Sequence, residues 1–165
     1  MKEALYPTAD YAPAAALVAA LKAKGLRISF AESCTGGLAA AGIVAVPDAS
    51  SVLDASFVTY ANEAKTALVG VDPDTLAAHG AVSEEVAGEM AAGAAAASGA
   101  DVGVGISGIA GPTGGTKEKP VGTVCFGFSV SGRVTTVTRH FGALGRNAVR
   151  AAAVTFVYET LLEIL

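Results

Sequence analysis

Apolar and polar residues repeat along this chain with a helical spacing in some segments and a strand spacing in others, and these spacings predict its secondary structure. Apolar residues three and four positions apart, bounded by capping and stop residues, predict helices over residues 12–24, 38–46, 62–69, 72–80, 83–98 and 147–165. Alternating or continuously apolar runs predict strands over residues 26–31, 55–60, 101–107, 121–130 and 133–141. Asn62 is predicted as the N-cap of its helix.

The order of these elements predicts the fold class. Helices and strands alternate, which is typical of an α/β domain with helices on both faces of the sheet. Ser131 and Gly132 form a two-residue hairpin signal, so at least one pair of strands is antiparallel. We therefore expect a mixed, mostly parallel sheet, and 165 residues suit a single domain over 1–165.

Composition and charge narrow the classes of function. The net charge of −4 argues against a nucleic-acid-binding surface, which needs a basic stripe. Cys34 and Cys125 form no CxxC pair, so we expect no disulfide framework and a reducing, cytoplasmic location. Residues 1–4 lack the pattern of a signal peptide. Segment 87–100 is apolar, but alanine and glycine dominate it and Glu89 interrupts it, so we expect no membrane span.

The turn after the first predicted strand is the first candidate for chemistry. Ser33 and Thr35 lie in a polar turn, and Gly36 and Gly37 then open a helix. Backbone N–H groups at such a helix start suit an anion or the oxyanion of an acyl-transfer intermediate, with Ser33 exposed as the nucleophile. The alternative is a Ser/Thr helix cap followed by glycines that permit close packing.

A nucleophilic serine needs a base, and the sequence offers three candidates. His79 and His140 have no orienting acid nearby in the sequence, so they support a Ser-His-Asp triad weakly. Lys65 lies in the first turn of a predicted helix, where the helix dipole favours the neutral amine that a base must be. The alternative is an ordinary solvated lysine.

Two further segments are candidates for ligand binding. The GxGxxG pattern at 103–108 is followed by no helix, which argues against a dinucleotide fingerprint. The glycine-lined loop 108–120 after it ends a buried strand, where open α/β sheets bind ligands, and its Lys119 lies in a charged run that suits either a phosphate or solvent. Arg146 and Arg150 open the last helix and suit a phosphate, or form a surface pair.

Four blocks of the sequence together resemble the CinA C-terminal domain family. They are AESCTGG at 31–37, FVTYANEAK at 57–65, HGAVS at 79–83, and SGIAGPTGG at 107–115 with KPVGTV at 119–124. The blocks come in the family's order and span nearly the whole chain. One departure lies at 142–147, where GALGRN keeps an arginine at Arg146 but lacks the aspartate of the family's Gly-Asp-Arg.

The resemblance implies an α/β/α sandwich in its stand-alone form and the hydrolysis of nicotinamide mononucleotide to nicotinate mononucleotide and ammonia. It implies Ser33 as nucleophile, with Lys65 and Tyr60 on the base side. We expect oxyanion donors among the backbone N–H groups of Cys34, Thr35, Gly36 and Gly37. The expected substrate-binding residues are Ser107, Gly108, Gly111, Gly114, Gly115, Arg146 and Arg150.

We expect a small-molecule nucleotide as partner, with no cofactor and no metal, since no HExxH, EF-hand or His/Cys ligand spacing occurs. A nucleotide-binding module without catalysis, an amidase for another substrate and a regulatory protein are the alternatives. The apolar stripe of Val154, Val157, Leu161 and Leu165 suits either a homodimer face or packing on the sheet, and we favour the sheet.

Overall fold

Five strands form one sheet with helices on both of its faces, in a computed structural model that describes residues 12–165. The strands are β1 (Ile28–Glu32), β2 (Phe57–Val58), β3 (Val102–Gly108), β4 (Thr123–Val130) and β5 (Arg133–His140). The helices are α1 (Ala12–Lys24), α2 (Leu38–Val44), α3 (Asn62–Val69), α4 (Pro73–His79), α5 (Glu84–Ser98) and α6 (Arg146–Ile164). A short 3₁₀ turn spans Ala49–Ser51.

The sheet has the strand order β2-β1-β3-β4-β5. β1 pairs in parallel with β2 and with β3, whereas β3–β4 and β4–β5 are antiparallel. β4 is therefore the strand that runs against the other four. The predicted α/β class, the mixed sheet and the hairpin at Ser131–Gly132 are confirmed.

Each face of the sheet has its own core. On one face, α1, α2 and α6 pack against residues such as Phe30, Val104 and Phe126. On the other face, α3 and α5 pack against Ala31. The α6 stripe is covered within the chain, because Val154, Val157 and Leu161 are fully buried in the first core and Leu165 packs against it. The prediction that this stripe packs on the chain's own sheet is therefore confirmed.

Glycines let α5 approach the sheet closely. A Cβ at Gly103 would collide with the Ala91 carbonyl oxygen, and one at Gly105 or Gly127 with that of Ala87. The first two glycines of the GxGxxG pattern thus lie in the middle of β3 beneath a helix, where they serve packing.

Several boundaries differ from the prediction for physical reasons. Leu26 closes the C-terminus of α1, because its N–H donates to the Leu21 carbonyl, so β1 begins two residues later than expected. β2 is an edge strand that pairs through only two positions, Phe57 and Val58. The predicted N-cap was wrong: Ala61 precedes α3 without a side-chain cap, and Asn62 lies inside the helix.

No helix within residues 12–165 is long and apolar enough to cross a membrane. The segment 1–4, where we expect no signal peptide, lies outside the residues that the structure describes.

Candidate active site

Small polar side chains form one row across the sheet, at the end where β1, β2 and β3 finish. Glu32 is in register with Val58 on one side and with Ile106 on the other, and the pairing continues one residue further. The Thr59 N–H donates to the Glu32 carbonyl, and the Ser33 N–H donates to the Ile106 carbonyl. Neighbours in register lie on one face of a sheet. The resulting row is Thr59, Ser33, Ser107, Cys125 and Thr138.

Lys65 reaches this row from α3. Its Nζ lies 3.3 Å from Ser33 Oγ, and it donates to the carbonyl oxygens of Thr59 at 2.8 Å and Tyr60 at 3.3 Å. The lysine is only 1 % exposed. The structure thus brings together the serine and lysine that the sequence singled out, and Ser33, at 9 % exposed, is more enclosed than we expected of an exposed nucleophile.

Burial without an acidic partner sets the electrostatics of Lys65. No carboxylate within residues 12–165 lies at ion-pair distance from its amine. Burial therefore lowers the pKa of Lys65. A neutral amine carries two N–H groups, which the Thr59 and Tyr60 carbonyls accept, and one lone pair, which is left for the Ser33 hydroxyl proton.

Glu32 fixes the turn that holds Ser33. Its fully buried carboxylate accepts hydrogen bonds from the N–H groups of Gly37, Ala39 and Ala40, at 2.9–3.1 Å. It thus supplies the negative charge that the start of a helix favours. Sequence reasoning gave Glu32 no role, although an acid just before a Gly-Gly helix start is a signal for one.

The same contacts decide which backbone donors are available to a ligand. The Gly36 N–H donates to the Ser33 carbonyl and the Gly37 N–H to Glu32, so both are occupied. No protein oxygen within residues 12–165 accepts from the N–H groups of Cys34 and Thr35. Gly37 adopts φ 97°, a left-handed conformation that favours glycine and turns the chain into α2.

The Cys34 side chain beside the nucleophile is held as a thiol. It is 6 % exposed, and burial, reinforced by the Glu32 charge, raises its pKa to about 12. Since the thiolate is the reactive form of cysteine, Cys34 is a poor nucleophile in this position.

Arg150 acts on the turn from α6. Its Nε donates to the Cys34 carbonyl at 3.0 Å, its NH2 group donates to the Thr35 carbonyl at 3.1 Å and its NH1 group to Asn147. All three nitrogens therefore hold protein oxygens, and two of them fix the carbonyls of Cys34 and Thr35 in the turn.

Arg146 lies closer to solvent than Arg150. It donates to the Gly111 carbonyl at 2.9 Å and to the Tyr60 hydroxyl at 3.2 Å. Tyr60 is 63 % exposed, and its backbone carbonyl, rather than its hydroxyl, contacts the Lys65 amine. Arg146 thus joins the rim of the Ser33 site to the glycine-rich loop.

The glycine-rich loop begins beside Ser33 and extends into solvent. Ser107 is buried, and its hydroxyl donates to the Ala81 carbonyl at 2.6 Å, so it holds the segment that leads into α5. Gly108 packs on Val124, and Gly111 is buried where Arg146 binds its carbonyl. Two of the predicted residues, Gly114 and Gly115, are exposed on the loop.

Other charged groups that the sequence singled out lie elsewhere. Lys119 donates to the His79 carbonyl, and His79 lies 3.4 Å from Glu85. His140 contacts Thr123, and both histidines line a cavity of about 450 Å³ with Cys125. Neither histidine contacts Ser33. Across residues 12–165, no group of three or more His, Cys, Asp or Glu side chains is placed to hold a metal ion.

Comparison with known proteins finds relatives that match most of this chain. The chain is 54 % identical over 146 residues to the nicotinamide-nucleotide amidohydrolase PncC of Enterobacter agglomerans, covering 88 % of each chain. It is 49 % identical over 144 residues to the protein of that name from Escherichia coli K12, covering 87 % of each.

Solved structures give the same result. The competence/damage inducible protein CihA of Agrobacterium tumefaciens matches with a TM-score of 0.92 at 39 % identity, over 98 % of this chain and 99 % of that one. The model of the CinA C-terminal domain matches residues 10–165. With its fold, its sequence and nearly its whole length in agreement, this chain belongs to the CinA C-terminal domain family.

Proposed function

We propose that this chain is an amidohydrolase that converts nicotinamide mononucleotide and water to nicotinate mononucleotide and ammonia, with Ser33 as nucleophile and Lys65 as base. The observation that carries the mechanism is the 3.3 Å contact between a buried lysine amine without a counter-charge and a serine hydroxyl. The observation that carries the substrate is the likeness to relatives named nicotinamide-nucleotide amidohydrolase, at 49–54 % identity over most of both chains.

The first half of the reaction forms an acyl-enzyme. Ser33 Oγ bonds to the carboxamide carbon while its proton passes to the neutral Lys65 amine. The carbonyl oxygen becomes an oxyanion, which we assign to the N–H groups of Cys34 and Thr35, because no protein oxygen within residues 12–165 accepts from them. When the carbon–nitrogen bond breaks, its electron pair stays on nitrogen, the Lys65 proton moves to that nitrogen, and ammonia leaves.

The second half returns the enzyme to its starting state. A water molecule gives one proton to the again neutral Lys65 as its oxygen bonds to the acyl carbon. The bond between that carbon and Ser33 Oγ then breaks, and the Lys65 proton returns to Ser33. Because the same lysine accepts and releases the proton in both halves, the mechanism needs no histidine.

The rim of the site suits the ribose phosphate. Arg146 is exposed, is anchored through Gly111 and Tyr60, and retains donors for an anion. We assign the phosphate to Arg146 with the loop of Gly108, Gly111, Gly114 and Gly115. Arg150 and Ser107 are assigned to positioning instead, because their polar groups already hold the protein backbone.

Ammonia release from nicotinamide mononucleotide by the purified protein tests the proposal. Wild type should release ammonia and Ser33→Ala should release none while keeping its fold. Ser29→Ala is the matched control, since Ser29 is a fully buried serine on β1, four residues before Ser33 and on the same face of the sheet. Binding of the nucleotide without ammonia release by wild type would overturn the proposal in favour of a binding module.

A further inference from the structure

Two buried hydroxyls near the serine–lysine pair have no partner within residues 12–165: the Thr35 hydroxyl lies in the turn after Ser33, and the Thr59 hydroxyl belongs to the residue whose carbonyl holds the Lys65 amine. Thr59 is fully buried, and its Oγ1 makes no hydrogen bond within residues 12–165. Buried hydroxyls are nearly always paired, because an unpaired one forfeits its hydrogen bonds to water without replacement. An orphaned hydroxyl at a reactive site calls for a function, since proteins retain such local penalties chiefly where function needs them.

The position of Thr59 is defined by its backbone. It is the neighbour of Ser33 in the polar row, and its N–H donates to the Glu32 carbonyl. Its own carbonyl accepts from the Lys65 amine at 2.8 Å, the shortest of the three contacts that the amine makes. The hydroxyl therefore belongs to the residue that already holds the lysine, on the face of the sheet that carries Ser33.

The number of protons on Lys65 changes during the reaction, and its acceptors must change with it. In the neutral amine, two N–H groups and one lone pair match the Thr59 carbonyl, the Tyr60 carbonyl and the Ser33 hydroxyl. After proton transfer the amine has three N–H groups. In the tetrahedral intermediate Ser33 Oγ is bonded to the substrate carbon, and the charged amine has one N–H group more than the Thr59 and Tyr60 carbonyls accept.

We propose that Thr59 is a positioning residue whose hydroxyl accepts a hydrogen bond from the Lys65 amine while that amine carries the proton taken from Ser33. Rotation about the Cα–Cβ bond of Thr59 moves Oγ1 without disturbing its backbone contacts. The hydroxyl is unpaired in the resting enzyme and paired in the tetrahedral intermediate, in which the lysine is charged, so it favours that intermediate. This inference rests on the proposed roles of Ser33 and Lys65.

Three variants separate the hydroxyl from the shape of the side chain. Thr59→Val keeps the branched shape and removes the hydroxyl, whereas Thr59→Ser keeps the hydroxyl. Ser29→Ala removes another orphaned buried hydroxyl, on the same face as Ser33 but four residues earlier on β1. It is therefore the control for losing an unpaired hydroxyl outside the site.

The measurements are kcat and KM for ammonia release from nicotinamide mononucleotide, and the thermal midpoint of unfolding. Thr59→Val should lower kcat about 10- to 100-fold, the effect of losing a hydrogen bond to a charged group, while KM changes less than about twofold. Its unfolding midpoint should rise by about 2–4 °C, because an unpaired hydroxyl is removed. Thr59→Ser and Ser29→Ala should keep the wild-type kcat.

A second readout does not depend on the substrate. A fluorophosphonate probe forms a bond between phosphorus and Ser33 Oγ, releases fluoride and leaves the serine proton on Lys65. Labelling of Ser33, measured by mass spectrometry, should be slower in Thr59→Val than in wild type and Thr59→Ser.

The outcomes distinguish this inference from the proposed function. If wild type releases ammonia and Thr59→Val keeps the wild-type kcat, the inference is wrong and the amidase stands. Equal losses in Thr59→Val and Thr59→Ser also overturn it, because the hydroxyl is then irrelevant. If wild type releases no ammonia, the substrate is wrong, and slower labelling of Thr59→Val still supports the inference. Equal labelling, or no labelling of Ser33, overturns it.

Discussion

The Lys65 amine lies 3.3 Å from the Ser33 hydroxyl oxygen, although 32 positions separate the two residues in the chain. Ser33 follows β1, and Lys65 lies in the helix that follows the adjacent strand β2. Parallel pairing of these strands places both residues at one end of the sheet. The lysine stem is buried along its path to the serine, and this burial lowers the pKa of the amine and so favours its neutral form.

The pH dependence of activity should reflect this burial. Burial lowers the pKa of Lys65 below the ordinary 10.5, so the neutral, proton-accepting amine persists at lower pH than in a solvated lysine. We expect kcat/KM for ammonia release to fall as pH drops through this lowered pKa and to reach its plateau below pH 10.5. A pH–rate profile checks this, and a limb at the pKa of an ordinary lysine would contradict it.

The same shift should appear in stability. Between the lowered folded-state pKa of Lys65 and the unfolded value of 10.5, the unfolded chain holds a proton that the folded chain lacks. Stability therefore rises with pH through this window and is lost as pH falls. As pH rises through this window, the unfolding free energy of wild type should increase relative to that of Lys65→Met. Urea denaturation of both proteins at several pH values measures this difference. A constant difference would show that the amine is protonated in the folded state.

Cys34 should be dispensable for the chemistry. With a thiol pKa of about 12, it stays protonated at neutral pH. We expect Cys34→Ala to retain kcat within about threefold, because the oxyanion is assigned to backbone N–H groups that the substitution leaves in place. Iodoacetamide at about pH 8 should not alkylate Cys34 in the folded protein, by mass spectrometry. Loss of activity in Cys34→Ala with activity kept in Ser33→Ala would make the cysteine the nucleophile.

Glu32 should matter for stability. Glu32→Ala leaves three N–H groups at the start of α2 without their acceptor, so we expect the unfolding free energy to fall by about 3 kcal/mol or more. Glu63→Ala is the control, because Glu63 is an exposed acid in the first turn of α3 and should change stability by less than about 0.5 kcal/mol. Urea denaturation of both variants checks this, and equal effects would contradict the assigned role of Glu32.

The two arginines should differ in which kinetic constant they control. Arg146→Met should raise KM for nicotinamide mononucleotide about 10-fold or more, because it removes a charge assigned to the phosphate. It should have little effect on nicotinamide riboside, which lacks that phosphate. Arg150→Met should instead lower kcat on both compounds, because the turn carbonyls of Cys34 and Thr35 lose their donor. Steady-state kinetics on the two compounds checks this, and identical patterns would refute the division of roles.

The spacing of apolar residues and the capping residues predicted most helices and strands correctly, because these signals lie within or next to the element that they specify. Asp72 caps α4 through Asp74, and Ser83 caps α5 through Val86, as residues with side-chain acceptors commonly do. The pattern failed where a boundary depends on a distant partner. β2 is short because only two of its residues pair with β1, and no local feature of segment 55–60 encodes that.

The sequence by itself determined the family, the α/β class and the candidate status of Ser33 and Lys65, because contiguous motifs and local periodicity carry that information. Only the tertiary structure decided that the two side chains meet, that Glu32 occupies the start of α2, and that Arg150 holds the turn from a helix over 100 positions away. It also left the Thr59 hydroxyl without a partner. These features arise from the pairing of separate strands and from burial, which no single stretch of sequence specifies.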